Sequence, residues 1–145
     1  MTRDFDISRA RAAGLTAFGR WINFSIDEDR GGLLYALGFQ ERHIGNPGIR
    51  SIHGGVVSSF LELAAQAELS ARLRGAPLAT ATFSIDFMAS TRAADMKARA
   101  RLDRLGRRVA FLEARAWQES EDRPVAAARI CIRIAPLAEK STPAP

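Results

Sequence analysis

The run Asn46-Pro47-Gly48-Ile49-Arg50-Ser51-Ile52-His53-Gly54-Gly55, followed by six uncharged residues and then Glu62, decides how this chain is read. Two adjacent glycines stand where a polar loop containing Gly and Pro gives way to a segment rich in Ala, Leu and Val, which predicts helix. A helix start leaves backbone N–H groups without intrahelical partners, and such groups can hold a developing oxyanion. Glu62 is the only charged residue in the first two turns, and a carboxylate on an apolar helix is costly unless it has a partner or a task. The run therefore offers two parts of an acyl-transfer site, an N–H donor at Gly54 and a carboxylate at Glu62.

Upstream of this run, residues 7–20 read as a short helix with Ser8 as its candidate cap. From Trp21 to Asp29 the pattern alternates, with Ile22, Phe24 and Ile26 on one face, which predicts a half-buried strand. Arg30-Gly31-Gly32 turns it into a second strand reaching Phe39, a hairpin. Residues 40–52 read as the longest irregular loop, and long ordered loops are more often functional than idle. The helix is predicted over residues 54–73, apolar around most of its circumference and so buried on more than one side, with Gln66 and Glu68 as further polar interruptions. Arg72, Arg74, Gly75 and Pro77 are its stop signals.

Downstream, residues 79–88 place Phe83, Ile85 and Phe87 on one face and Thr80, Thr82, Ser84 and Asp86 on the other. Strands over 96–105 and 108–118 join at Gly106, and a last strand covers 124–134. These strands read as an antiparallel meander. The prolines from Pro136 onward predict a disordered tail over residues 136–145, leaving residues 1–135 as one α+β domain in which a sheet curls around one helix.

With 145 residues, 47% hydrophobic and 26% charged, the chain has the length and balance of one globular domain. Its one cysteine, Cys131, excludes an intramolecular disulfide, fits a reducing compartment, and is predicted to be a buried core thiol. No apolar run reaches signal or membrane-span length, so a cytoplasmic protein is expected. The net charge is +5, and all but Lys97 and Lys140 of the 21 basic residues are arginines. They are scattered, several alternating with acids, without the basic stripe and interleaved aromatics of a nucleic-acid binder. A polyanionic small molecule is the better match for that charge. His43 and His53 with a single cysteine make no metal-ligand set, and Ser58 and Ser59 have no base at an activating spacing.

Three matches coincide: His53-Gly54-Gly55 with an acid nine residues after the His, Gly75-Ala76-Pro77 leading to Thr80, and Ile85-Asp86-Phe87-Met88. With the elements in this order, the chain resembles the hotdog-fold acyl-CoA thioesterases of the phenylacetate-degradation type over about residues 20–135. The resemblance implies an antiparallel sheet curled around a long central helix. It also implies hydrolysis of an acyl-CoA to a carboxylic acid and free CoA, with coenzyme A entering as part of the substrate and no metal or redox cofactor. The Gly54 N–H would polarise the thioester carbonyl, Glu62 would act as nucleophile or general base, and the Thr80 hydroxyl would orient the acid or the attacking water. His53 would shape the helix start, and Gly55 would permit close backbone approach. The family's Asn or Gln six residues before the His falls on Pro47 here, with Asn46 one residue further off as the candidate carbonyl contact, and its usual glycine three residues before the His is Arg50. Arg92, Arg107 and Arg108 are candidates for the CoA phosphates. Gln66, one turn beyond Glu62, could bond Glu62, face the acyl pocket or face solvent.

Gly54 and Glu62 are eight residues apart, about 12 Å along a helix, too far for both to reach one carbonyl. Two antiparallel copies could pair Gly54 of one with Glu62 of the other, so a homodimer is expected, and the family adds dimers of dimers. Three other readings remain open. One makes Glu62 a structural acid paired with an arginine. One is a hotdog hydratase or dehydratase, although its Phe-Pro-Gly-His-Phe-Pro loop is absent. One is an acyl-CoA sensor without turnover.

Overall fold

A computed structural model describes residues 5–136. In chain order the elements are α1 (Ile7–Gly14), α2 (Ala17–Trp21), β1 (Phe24–Asp29), β2 (Gly32–Leu37), β3 (Ile44–Asn46), β4 (Ser51–Ile52), α3 (Gly54–Arg72), β5 (Leu78–Phe87), β6 (Met96–Leu105), β7 (Val109–Trp117) and β8 (Ala126–Ile134). Six strands form one antiparallel sheet in the order β1-β2-β6-β7-β8-β5, with the 19-residue α3 packed against it: the hotdog fold. No helix among the described residues is long and apolar enough to cross a membrane.

Small residues on both surfaces bring α3 close to the sheet. Ala64, Ala65, Ala67 and Ala71 on the helix are fully buried, as are Ala98, Ala110, Ala114, Ala116 and Ala126 on β6, β7 and β8. Tyr35, Leu37, Phe60, Leu69, Met96, Ile130 and Ile132 fill the space around that contact. Alanine on both sides keeps the packing tight where a larger side chain would hold the two layers apart.

Several local expectations need correction. The N-terminal helix is two helices: α1 is capped by Asp6, whose carboxylate accepts from Ser8 N–H (2.9 Å), and α2 by Thr16. Ser8 is therefore inside the helix and donates to its cap. Gly14 ends α1 against the Phe24 ring, which a Cβ at Gly14 would meet at 2.6 Å. The loop over 40–52 is ordered, with a single 3-10 turn (Glu41–His43) and the miniature hairpin β3–β4. The last four strands are not a simple meander. Only β6, β7 and β8 follow one another, whereas β5 pairs with β8 at one edge, and the chain crosses to pair β6 with β2. Cys131 is half-buried on the sheet face away from α3, because Ile130 and Ile132 take the helix-facing positions on either side of it. The expected tail lies, from residue 137 onward, outside the described residues.

The β5 register contains the correction with most bearing on function. Thr80 pairs with Ile132, but Thr82 pairs with Cys131, so Ala81 is an extra residue in the strand. Directly opposed residues share a face. Thr80 therefore shares the helix-facing side of Ile132, and Phe83, Ile85 and Phe87 share that of Ile130, Ala128 and Ala126. The bulge turns Thr80 from the face of Thr82 and Ser84 to the face of the helix.

Among the described residues one carboxylate lies inside the core, Glu68, 4% exposed. Tyr35 Oη donates to its Oε2 (2.5 Å) and Arg72 Nη2 to its Oε1 (2.9 Å). Burial, reinforced by the Glu68 charge, pushes the Tyr35 phenol well above its usual range, so it remains a donor at neutral pH. Tyr35→Phe keeps the ring and leaves Glu68 one bond short. It is expected to destabilise the fold by about 1–3 kcal/mol in urea unfolding, and a change below about 0.5 kcal/mol would mean that the bond contributes nothing net.

Candidate active site

The start of α3 is assembled from three backbone contacts and one imidazole. His53 N–H donates to the His43 carbonyl (2.9 Å), and the His53 carbonyl accepts from Val56 and Val57 (2.9 and 3.2 Å). His53 Nδ1 accepts from Gly55 N–H (2.8 Å), making His53 the cap of the helix. A Cβ at Gly55 would lie 2.9 Å from that nitrogen, so the glycine is what lets the imidazole fold back. Gly54 N–H is then the first donor of the helix that no group among the described residues takes up. It borders a cavity of about 390 Å³ with Ile52, Val57, Phe87, Met88 and Thr91 in its lining, and the Phe87 ring tip would lie 3.3 Å from a Cβ at Gly54.

Two turns on, Glu62 is half-buried and makes no hydrogen bond or ion pair among the described residues. The alternative reading, in which Glu62 pairs with an arginine, is not met among the described residues; the acid of α3 that pairs with one is Glu68. Gln66 does not bond Glu62 either. Its Nε2 donates to Thr80 Oγ1 (3.1 Å), which the bulge in β5 brings within reach. Gly55, Ser58, Ser59, Glu62, Gln66 and Ser70 thus mark the less covered stripe of an otherwise buried helix.

The remaining candidates are dispersed. Asn46 ends β3, exposed, with Oδ1 accepting from Gly48 N–H (3.0 Å). Arg50, where the family's glycine would stand, adopts φ 50 in the left-handed region that glycine favours, and its guanidinium bonds Glu41 (2.6 Å). Arg92 lies in the connection after Met88 and pairs with Glu119. Arg107 and Arg108 form the β6–β7 turn at the end of the sheet where Ile134 N–H donates to the Arg108 carbonyl. That is the Leu78 end of β5, about 30 Å along the strand from Phe87 and Gly54. One chain does not bring these two arginines to the helix start.

Two residues escaped the sequence analysis. Glu68 stood out there only as one of several polar interruptions; its Arg72 partner one turn on was the available signal, but Tyr35 is 33 residues away. His43 is fully buried, with Nε2–H donating to the Trp21 carbonyl (3.0 Å) and Nδ1 accepting from Gln40 N–H (3.1 Å). Its carbonyl holds the residue just before Gly54, a role carried by the backbone and invisible in side-chain patterns.

The thioesterase superfamily model matches residues 50–125, from the loop before His53 through the β7–β8 connection. The chain belongs to the thioesterase superfamily. Solved structures agree on the fold. The Escherichia coli PaaI protein of the phenylacetic acid degradation operon is 18% identical, with 89% of this chain and 92% of that one covered at a TM-score of 0.76. A phenylacetic acid degradation-related protein of Ralstonia eutropha is 23% identical over 88% and 98%, TM-score 0.73. A Bacillus halodurans protein crystallised with CoA is 17% identical over 92% and 93%, TM-score 0.75. No curated protein sequence matches the chain. The family and the hotdog fold expected from His53-Gly54-Gly55 and Glu62 are thus those observed.

Proposed function

We propose that the protein hydrolyses acyl-CoA thioesters to a carboxylic acid and free CoA. The observation that carries this reading is the unclaimed Gly54 N–H at the capped start of α3, opening on a cavity walled by Phe87 and Met88. A thioester carbonyl seated there gains a donor aimed at the oxygen that becomes negative in the tetrahedral intermediate. Glu62, without a partner of its own, takes a proton from water as it attacks, or attacks the carbonyl directly. In the first route the water oxygen bonds the carbonyl carbon as the C–S bond breaks, and the proton held by Glu62 passes to the CoA sulfur. In the second, Glu62 displaces the CoA sulfur to form a mixed anhydride, which water then hydrolyses to the acid, freeing Glu62 and supplying the sulfur's proton.

Because Gly54 and Glu62 are about 12 Å apart along α3, the site is completed by a second copy of the chain. The free edge of β5 supports such an assembly: nine of its ten residues pair with β8 on one side, and no strand among the described residues pairs with it on the other. Of the three arginines, Arg92 stands closest in the chain to the cavity-lining residues 88–91 and is the first candidate for a CoA phosphate, exchanging Glu119 for it. Arg107 and Arg108 would reach the substrate only from another subunit. The CoA bound to the Bacillus halodurans protein favours the same ligand class here.

The test is release of free thiol from a panel of aromatic and medium-chain acyl-CoAs, with acid and CoA formed in equal amounts. Hydration of an enoyl-CoA without thiol release would replace this reading with a hydratase. Saturable binding without turnover would replace it with a sensor.

A further inference from the structure

We infer that Thr91 is a positioning residue for the Gly54 N–H, an inference that rests on the donor role proposed for that group. Ile52 and His53 lead directly into Gly54, and a different part of the chain restrains each. His53 N–H goes to the His43 carbonyl on the β3 side. Ile52 sits opposite Ile44 in the short β3–β4 ladder, and its own polar groups are met on the other side, where no strand continues the pairing. There Thr91 Oγ1 accepts from Ile52 N–H (3.0 Å) and donates to the Ile52 carbonyl (3.4 Å). One hydroxyl thus does for Ile52 what a neighbouring strand would do. Ile52 is 4% exposed, so water is poorly placed to substitute.

Thr91 is itself held. Its loop, residues 88–95, is strapped to the end of β7 by Gln118, whose Oε1 accepts from Arg92 N–H (2.8 Å) and whose Nε2 donates to the carbonyls of Arg92 (2.8 Å) and Ala94 (3.0 Å). The Val125 carbonyl takes Met88 N–H (2.8 Å) at the start of the same loop. A continuous set of contacts therefore runs from the sheet through Gln118 and Thr91 to Ile52, two residues before Gly54. Thr91 lines the cavity beside Gly54, so any slack in the loop shifts the donor and the cavity wall together. Misplacement of a catalytic group by a fraction of an ångström to an ångström lowers turnover more than ground-state binding.

The test compares Thr91→Val, which keeps the shape and removes both bonds, with Thr91→Ser, which keeps the hydroxyl. In Thr91→Val, kcat for the best acyl-CoA should fall about tenfold or more with KM within about twofold of wild type. Thr91→Ser should restore kcat to within about twofold. The Gly54 amide resonance in a ¹⁵N–¹H spectrum should move in the Val variant and stay in the Ser variant. That readout needs no turnover, so it separates failure of this inference from failure of the hydrolytic reading. Gln118→Ala should shift the same resonance in the same direction and add little on top of Thr91→Val, because both act through one contact. An unmoved Gly54 amide in Thr91→Val, or in Gln118→Ala should the Val variant not fold, would overturn the proposal. So would an unchanged kcat in either soluble variant, or a Ser variant as impaired as Val.

Discussion

Glu62→Gln is expected to abolish most acyl-CoA hydrolysis, a loss of ~10²–10⁴-fold, while leaving the unfolding transition where it was. The two parts of this expectation have separate causes. Glutamine can neither attack the carbonyl nor accept a proton from water, so turnover falls. It matches glutamate in size and in helix propensity, and Glu62 gives up no hydrogen bond or ion pair on replacement, so the fold is spared. Glu68→Gln is the matching control. It disturbs a carboxylate held by Tyr35 and Arg72 in the core, and its first effect should be on stability. Purified Glu62→Gln retaining more than about a tenth of wild-type activity would remove Glu62 from the catalytic role.

The second large effect is expected at Gly54. Any Cβ there meets the Phe87 ring at 3.3 Å, and the branches of valine extend into the cavity where the carbonyl is to dock. Gly54→Val should cost ~10²–10³-fold, the range for loss of one oxyanion donor. Each variant alone should be nearly inactive, but a heterodimer of Glu62→Gln with Gly54→Val would hold one site with both defects and one with neither, because a two-fold interface exchanges the groups symmetrically. Co-refolded heterodimers should recover up to about half of the wild-type activity per dimer. A verified, folded heterodimer that stays inactive would place both groups within one chain. A protein that is monomeric at micromolar concentration would refute the shared site outright.

What could be read from the sequence was local. The helix start and its alanine-rich body were legible because Gly54, Gly55 and the alanines act through their own backbone and neighbours. Strand positions were legible to within a few residues from alternation and turn glycines, and the hotdog fold was implied by the family resemblance that His53-Gly54-Gly55 and Glu62 carry. The missed features all depend on distant partners. Nothing near Tyr35 announces Glu68, and nothing near Trp21 announces His43. The meander failed because β5 and β6 are consecutive in the chain, yet sit at opposite sides of the pair β7–β8. Cys131 was assigned to the core because isoleucines flank it, but those same isoleucines occupy the core face. Thr80 was given the wrong face because strict alternation cannot register one extra residue.

That extra residue, Ala81, has a consequence for how this site can change. Whether a hydroxyl meets Gln66 is decided by the reading frame of the strand as much as by the identity of residue 80. Deleting Ala81 would restore an uninterrupted ladder without changing the faces, because Thr80 would still oppose Ile132 and Thr82 would still oppose Cys131. Pairing Ala81 with Ile132 in a regular ladder would instead turn Leu78 and Thr80 outward and Ala79 and Ala81 toward the helix, leaving Gln66 without its acceptor although every side chain of the pair was still encoded. The bulge, and not the length of the strand, is therefore what presents the hydroxyl. A comparison that scores residues column by column would register no difference between the two pairings.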